Sequence, residues 1–312
     1  MSDRYNVIVA PLARWSSRIA FFAASLIVAD VALHRLTSFP TPVALNLFRV
    51  GYGIAALAVL VGLVAMAQIW RRGYGGAGRA AIGVLLPILL AAWPLAYVPA
   101  YMNLPPINDI TTDPASPPRF AALSKLRPAG ANSPNYPGER FALLQQQAFP
   151  DVRTLVVERS LEETFELVEE SVAKLRWKVA ATEPPVGRPA RAGILEATDR
   201  TLLVGFTDDI VIRVEGNATR SRVDVRSASR FGTFDFGQNA NRVRRLLAEV
   251  QARADATTPS AIAGRRGLRS TRAGAVLKKL KARDQKKAES RSERDRAPSS
   301  AQRVRAPRES QR

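Results

Sequence analysis

The chain has 312 residues, with 46 Lys/Arg against 27 Asp/Glu, one histidine and no cysteine, for a formal net charge of +19. Those counts exclude disulfides, thiolate nucleophiles and cysteine-ligated zinc, and they leave no histidine beyond His34 for a triad or a histidine-rich metal site. The charge is uneven: from Thr257 to Arg312 there are 17 Lys/Arg against 5 Asp/Glu, so a surplus of 12 of the net +19 sits in the last block and says little about the rest.

Residues 1–103 are strongly apolar. Val50 to Ile69 is twenty residues without a charge, and Ala80 to Tyr101 is twenty-two. A bilayer core of about 30 Å needs ~20 apolar residues in a helix, so both read as spans. Pro87, Pro94 and Pro99 would break a soluble helix but are tolerated in a membrane one. Trp93, Tyr97 and Tyr101 approach the interface where aromatic belts form. Ile19 to Leu33 is apolar but holds Asp30, with Arg18 and Arg35 on either side. It reads as a first span or as a signal peptide. The lack of a small-x-small cleavage site and the two spans that follow favour the span. The three spans are expected near 15–36, 48–70 and 80–101. Asp30 is either a functional intramembrane acid or an interfacial one beside His34 and Arg35.

Orientation follows from Lys/Arg in the short loops. Arg4, Arg14 and Arg18 precede the first span, and Arg71, Arg72 and Arg79 lie between the second and third. Between the first and second lie Arg35 and Arg49, while Asp109 and Asp113 follow the third before any base. The bias puts the amino end inside and residues 104–256 outside.

Those residues read as one α+β domain. Leu104 to Gly138 is rich in Pro and Asn and is expected to be extended, with Ile110 and Phe120 tucked into the core. Val152–Val157 reads as a strand. Ser160 with Glu163 forms a capping box, and Leu161, Phe165, Val168, Val172 and Leu175 mark the buried face of a helix. Strands follow at Trp177–Ala181, Ile194–Thr198 and Leu202–Phe206. Asp209–Val214 and Val223–Ser229 alternate and form a hairpin. A last helix begins near Asn239 or Asn241, with Val243, Leu246, Leu247 and Val250 as its apolar stripe. This order predicts an antiparallel sheet with two helices on one face. From Thr257 the chain has no aromatic residue and is expected to be a disordered basic tail, with a transient helix at Ala275–Arg283.

The densest polar patterning runs from Phe206 to Arg245. Asp208, Asp209 and Asp235 are the weak catalytic candidates, as a hard-cation site or a general acid and base. Arg213, Arg226, Arg230, Asn239 and Arg242 are the candidate ligand-binding side chains, with the Gly232 and Gly237 turn able to offer amides to an anion. Strand alternation puts Asp224, Arg226, Ala228 and Arg230 on one face, opposite Val223 and Val225. Arginines stand close to each acid, so mutual ion pairing is the favoured reading over anion binding, metal or catalysis.

INDITTD (Ile107–Asp113), PPRF (Pro117–Phe120), FPD (Phe149–Asp151), FTDD (Phe206–Asp209), RSASRFG (Arg226–Gly232) and DFGQNANRVR (Asp235–Arg244) follow one another over about 140 residues. In this order they resemble the bacterial domain-of-unknown-function family numbered 1499. The resemblance covers about 104–256 only. It implies domain boundaries and membrane attachment and carries no catalytic residue. One departure is Phe234, where the family pattern leads one to expect a small polar residue.

The resulting expectation is a multi-pass protein of the bacterial inner membrane, amino end cytoplasmic, displaying a periplasmic α+β domain with a binding or structural role at the cell envelope. No cofactor is indicated. One alternative is a metal-assisted hydrolase on Asp208, Asp209 and Asp235. Another is binding of anionic lipid or nucleic acid through the tail. The expected partners are the bilayer and, through the tail, an anionic lipid or envelope polymer. Nucleic acid is not expected, because the tail lacks aromatic interleaving and is placed outside.

Overall fold

The protein is described here by a computed structural model that covers residues 8–37, 39–186 and 192–257. The basic tail and its expected helix at Ala275–Arg283 lie outside the described residues.

Three long helices come first: α1 (Pro11–Leu36), α2 (Thr41–Arg72) and α3 (Ala77–Leu95). Each is long and apolar enough to cross a membrane. They pack through small residues. Ala13, Ala20, Ala23, Ala55, Ala58, Ala65 and Ala80 are all fully or nearly fully buried. A Cβ on Gly83 would lie 2.3 Å from Ser16 Oγ, and one on Gly62 would lie 2.7 Å from Val84 Cγ2. Close backbone approach through small residues is how helices associate where lipid offers no hydrophobic contrast. Phe21, Phe22, Leu57, Leu60, Leu85 and Leu89 point outward instead. At the other end the backbone of Ile8 and Ala10 pairs with Gly75 in the α2–α3 turn.

The expected third span to Tyr101 is interrupted. α3 ends just after Pro94, and a short α4 (Val98–Asn103) follows. Pro99 sits in the first turn of α4, where its missing N–H leaves no bond unmade.

The domain is a six-stranded antiparallel sheet: β1 (Asp109–Thr111), β2 (Leu155–Val157), β3 (Lys178–Glu183), β4 (Gly193–Arg200), β5 (Thr207–Gly216) and β6 (Ser221–Ser229). The order is β1-β6-β5-β4-β3. β2 pairs with the other half of the same edge of β6. Helices α7 (Leu161–Lys174) and α8 (Gln238–Ala256) pack together on one face. Their core joins Phe165, Val168, Val243 and Leu246 with Ile210, Ile212, Val223 and Val225, all buried. Ser160 caps α7, its side chain accepting from Glu163 N at 3.2 Å. Both the α7 cap and the two-helix face were legible in the sequence.

Three segments differ from expectation. Leu104–Gly138 is not simply extended. It supplies β1 and α5 (Ala122–Leu126), and it lies over the second face of the sheet with Phe120 and Leu123 against Val211 and Ala228. α6 (Glu139–Ala148), for which the sequence reading made no assignment, follows. Leu202–Phe206 is not a strand. β4 already ends at Arg200, and 201–206 is the β4–β5 loop. Its apolar run is explained by what it meets: Val204 is buried against Ile27 and Phe48 of the bundle.

Candidate functional site

Register decides where the charged side chains go. Asp208 pairs across from Ser229 and Asp209 from Ala228, so these adjacent acids leave β5 on opposite faces. Asp208, with Asp199, lies on the helix face. There Arg242, reaching back from α8, donates Nη2 to Asp208 Oδ2 at 2.7 Å and Nε to Asp199 Oδ2 at 2.9 Å. Asn239, fully buried, links Ser227, Ser229 and the Asn108 carbonyl. Asp235 caps the start of α8, accepting from Gly237 N and Asn239 N, both at 2.8 Å.

Asp209 lies on the other face, where Arg127 and Arg230 both hold it, at 2.8 and 2.7 Å. Arg213 bridges Asp113 and Asp224 at 3.0 and 3.1 Å. Arg226 is 1 % exposed and donates to both oxygens of Asp109, at 2.9 and 2.7 Å. Its plane is flanked by Phe120 and Tyr136, centroids 4.7 and 5.5 Å away. The Pro-rich segment over this face buries what the sequence pattern left as an open arginine row. Glu196, 2 % exposed, accepts three backbone N–H groups, from Ala121, Ala122 and Leu123, and so caps α5.

The sequence-derived candidates therefore sort themselves. Asp208 and Asp235 both bond to residues of α8, while Asp209 lies on the opposite face of the sheet. Among the described residues no three acidic or histidine side chains gather as a metal-holding group. Arg213, Arg226, Arg230 and Arg242 each pair with carboxylates inside the domain.

Burial pushes the Asp208 carboxyl up from the ordinary aspartate range, against the pull of Arg242. Asp235 is also raised by burial, against the amides of Asn239 and Gly237. The same desolvation raises Asp109 despite Arg226, and it pushes the Tyr136 hydroxyl up to about 12, with the Asp109 charge adding to the effect.

A cleft of about 710 Å³ opens where the bundle meets the domain. Arg35, Trp93 and Tyr97 line it from the helices; Arg200, Leu203 and Phe206 line it from the β4–β5 loop region. Phe234 and Phe236, 4.5 Å apart, complete it before α8, with Tyr101 and Tyr97 against them at 5.6 and 5.3 Å. Phe234, the departure from the family pattern, is thus a contact between the domain and α4. The loop is held to α1 by polar bonds. His34 Nδ1 meets Val204 O at 2.8 Å, and Arg35 Nη1 donates to Thr201 O at 2.9 Å. The sequence places Arg35 at the end of the first apolar segment and beside Asp30 but gives it no binding role, and it does not single out Arg200. The available signal was an apolar Leu202-Leu203-Val204 run closed by Gly205, whose φ of 83° marks a turn rather than a strand.

Comparison with curated proteins and with solved structures finds no match. Residues 109–250, from the first residue of β1 to within α8, match the model of the family described as Protein of unknown function (DUF1499), the family that the sequence blocks resemble.

Proposed function

We propose a binding role, not a catalytic one. In this reading the chain is an integral protein of a bacterial inner membrane, with its amino end in the cytoplasm. It holds the α+β domain on the periplasmic side and engages an envelope component at the bundle–domain junction. The cleft is the observation that carries it: aromatic side chains and arginines meet there from the helices and from the domain, as ligand sites generally combine them. The internal neutralisation of the polar network supports it from the other side. Asp208, Asp209 and Asp235 do not converge, and the arginines beside them are already bonded. The net surplus of cations from Thr257 onward adds attraction for anionic lipid or envelope polymer.

The test is in-cell photo-crosslinking, with a reactive residue at Phe231 on the cleft and, as control, at exposed Glu158. A discrete adduct at Phe231 that is absent at Glu158 is the expected result. Identical patterns at both positions would refute the binding site. An alkaline-phosphatase fusion after Ala256 should be active; an inactive one reverses the orientation.

A further inference from the structure

Arg35 and Arg200 come from parts of the chain 165 residues apart, yet their guanidinium groups converge on Gly205. A Cβ built there would lie 3.0 Å from Arg200 Nη2 and 3.3 Å from Arg35 Nη1. Neither guanidinium has a carboxylate partner among the described residues. Arg35 donates to Thr201 O, and Arg200 donates to Gly205 O at 3.1 Å and His34 O at 3.2 Å. The nearest acid in sequence, Asp199, is held by Arg242. Every other arginine considered above on the sheet pairs with a carboxylate. Two like charges drawn together by carbonyls alone, Arg35 half-buried and Arg200 exposed, favour an anion between them.

What lies next to them decides the counter-ion's chemistry. Arg35 also lines a second cavity of about 470 Å³, walled by Ile27, Phe48 and Leu90 of the three long helices. Arg35, Trp93, Leu203 and Val204 line both spaces, so the cationic one and the apolar one adjoin. Arg35 stands one residue from the end of α1 and Trp93 two from the end of α3, the depth at which headgroups meet side chains. A free anion would use the arginines and leave the apolar cavity without a role. A phospholipid uses both.

We propose that the junction holds one anionic phospholipid, with its phosphate on Arg35 and Arg200 and an acyl chain in the cavity between α1, α2 and α3. This rests on the binding reading above and names the ligand class for that site. A phosphatidylglycerol headgroup adds no positive charge, whereas phosphatidylethanolamine would bring an ammonium toward the two arginines.

The experiment is native mass spectrometry of the full chain in neutral detergent, titrated separately with phosphatidylglycerol, phosphatidylethanolamine and inorganic phosphate. High ammonium acetate screens loose charge attraction, that of the Lys/Arg-rich sequence from Thr257 onward included, leaving an adduct that an acyl chain in the apolar cavity also holds. The expected result is a single salt-resistant phosphatidylglycerol adduct. It should weaken about tenfold or more in Arg35→Gln/Arg200→Gln and recover partly in Arg35→Lys/Arg200→Lys. Leu90→Trp, which fills the apolar cavity and keeps both arginines, should also lose it, so the proposal stays testable should the glutamine variant fail to fold. Equal binding of the two lipids would overturn the proposal. So would an unchanged adduct in Leu90→Trp, or inorganic phosphate binding as tightly as the lipid. Loss of lipid selectivity with the Phe231 crosslink retained would remove the lipid but leave the binding role, so the two failures are distinguishable.

Discussion

Replacing Arg226 with alanine should unfold the domain by a route that its pH dependence identifies. In the parent, Asp109 is 3 % exposed and receives two guanidinium bonds; in Arg226→Ala it is left buried with no bonded countercharge and only the more distant pull of Arg127. Breaking a buried pair from one side costs about 3–5 kcal/mol. For a domain of this size each kcal/mol lowers the melting temperature by roughly 2–4 °C, so a fall of about 6–20 °C is expected. Burial already holds the Asp109 carboxyl above its ordinary range, and removing Arg226 takes away the main downward pull. Its folded pKa then climbs further above the ~3.9 of the unfolded chain. A raised carboxyl pKa gives stability that is present below the unfolded value and lost as pH rises through the folded one. The variant's deficit should therefore be smallest in acid and grow toward neutral pH. Near-ultraviolet circular dichroism melts at several pH values measure it. Asp109→Leu with Arg226→Met should recover most of the loss, since an apolar pair needs no compensation. A deficit under about 1 kcal/mol, or one that does not change with pH, would overturn this account of Arg226.

Glu196→Gln should cost about 2–4 kcal/mol, because three backbone donors at the start of α5 lose a charged acceptor; cleavage by trypsin after Lys125 should accelerate, and unchanged cleavage would refute the cap. Gly83→Leu should force α1 and α3 apart at Ser16 and cost about 1–3 kcal/mol, read as a lower melting temperature in detergent; an unshifted melt would show that the contact is loose. Asp30 is buried with neither carboxylate oxygen bonded, so Asp30→Leu should stabilise the solubilised protein by about 1–3 kcal/mol, and destabilisation would point to an unseen partner. Asp151, exposed and held below the usual carboxylate range by its bond to Arg244, gives a contrasting case. Its pair contributes above the unfolded pKa and fades as pH falls through the folded one. Asp151→Asn should therefore differ from the parent by under about 1 kcal/mol at neutral pH and not at all in strong acid.

What could be read from the sequence was what local physics settles. Twenty uncharged residues fix a long apolar helix, and Ser160 with Glu163 fixes a helix start. The alternation of Val223 and Val225 with Asp224 and Arg226 fixes two faces of β6. What could not be read depends on distant closure. Nothing near Glu196 announces that it caps a helix 75 residues away, and nothing near Arg226 names Asp109. The second sheet face looked open because the segment that covers it has no periodicity to signal packing. Leu202–Phe206 was misassigned because an apolar run looks the same whether it fills a sheet or meets a helix bundle. Asp208 and Asp209 are a different case: the two-residue strand period already sends neighbours to opposite faces, and that argument weighs against a shared acid site.

The β4–β5 loop has a geometric corollary. One end of β5 is pinned beside α1 through Val204, and its ten residues reach up to about 33 Å from that anchor. The Asn217–Arg220 turn therefore stands at the far tip of a stiff antenna, its Asn217 Oδ1 tied back to the Thr219 and Arg220 amides. The domain has a near pole in contact with the helices and a far pole that faces away from them. A tilt of α1 by a few degrees would sweep that tip sideways by ångströms, turning a small motion among the helices into a visible one at a distance.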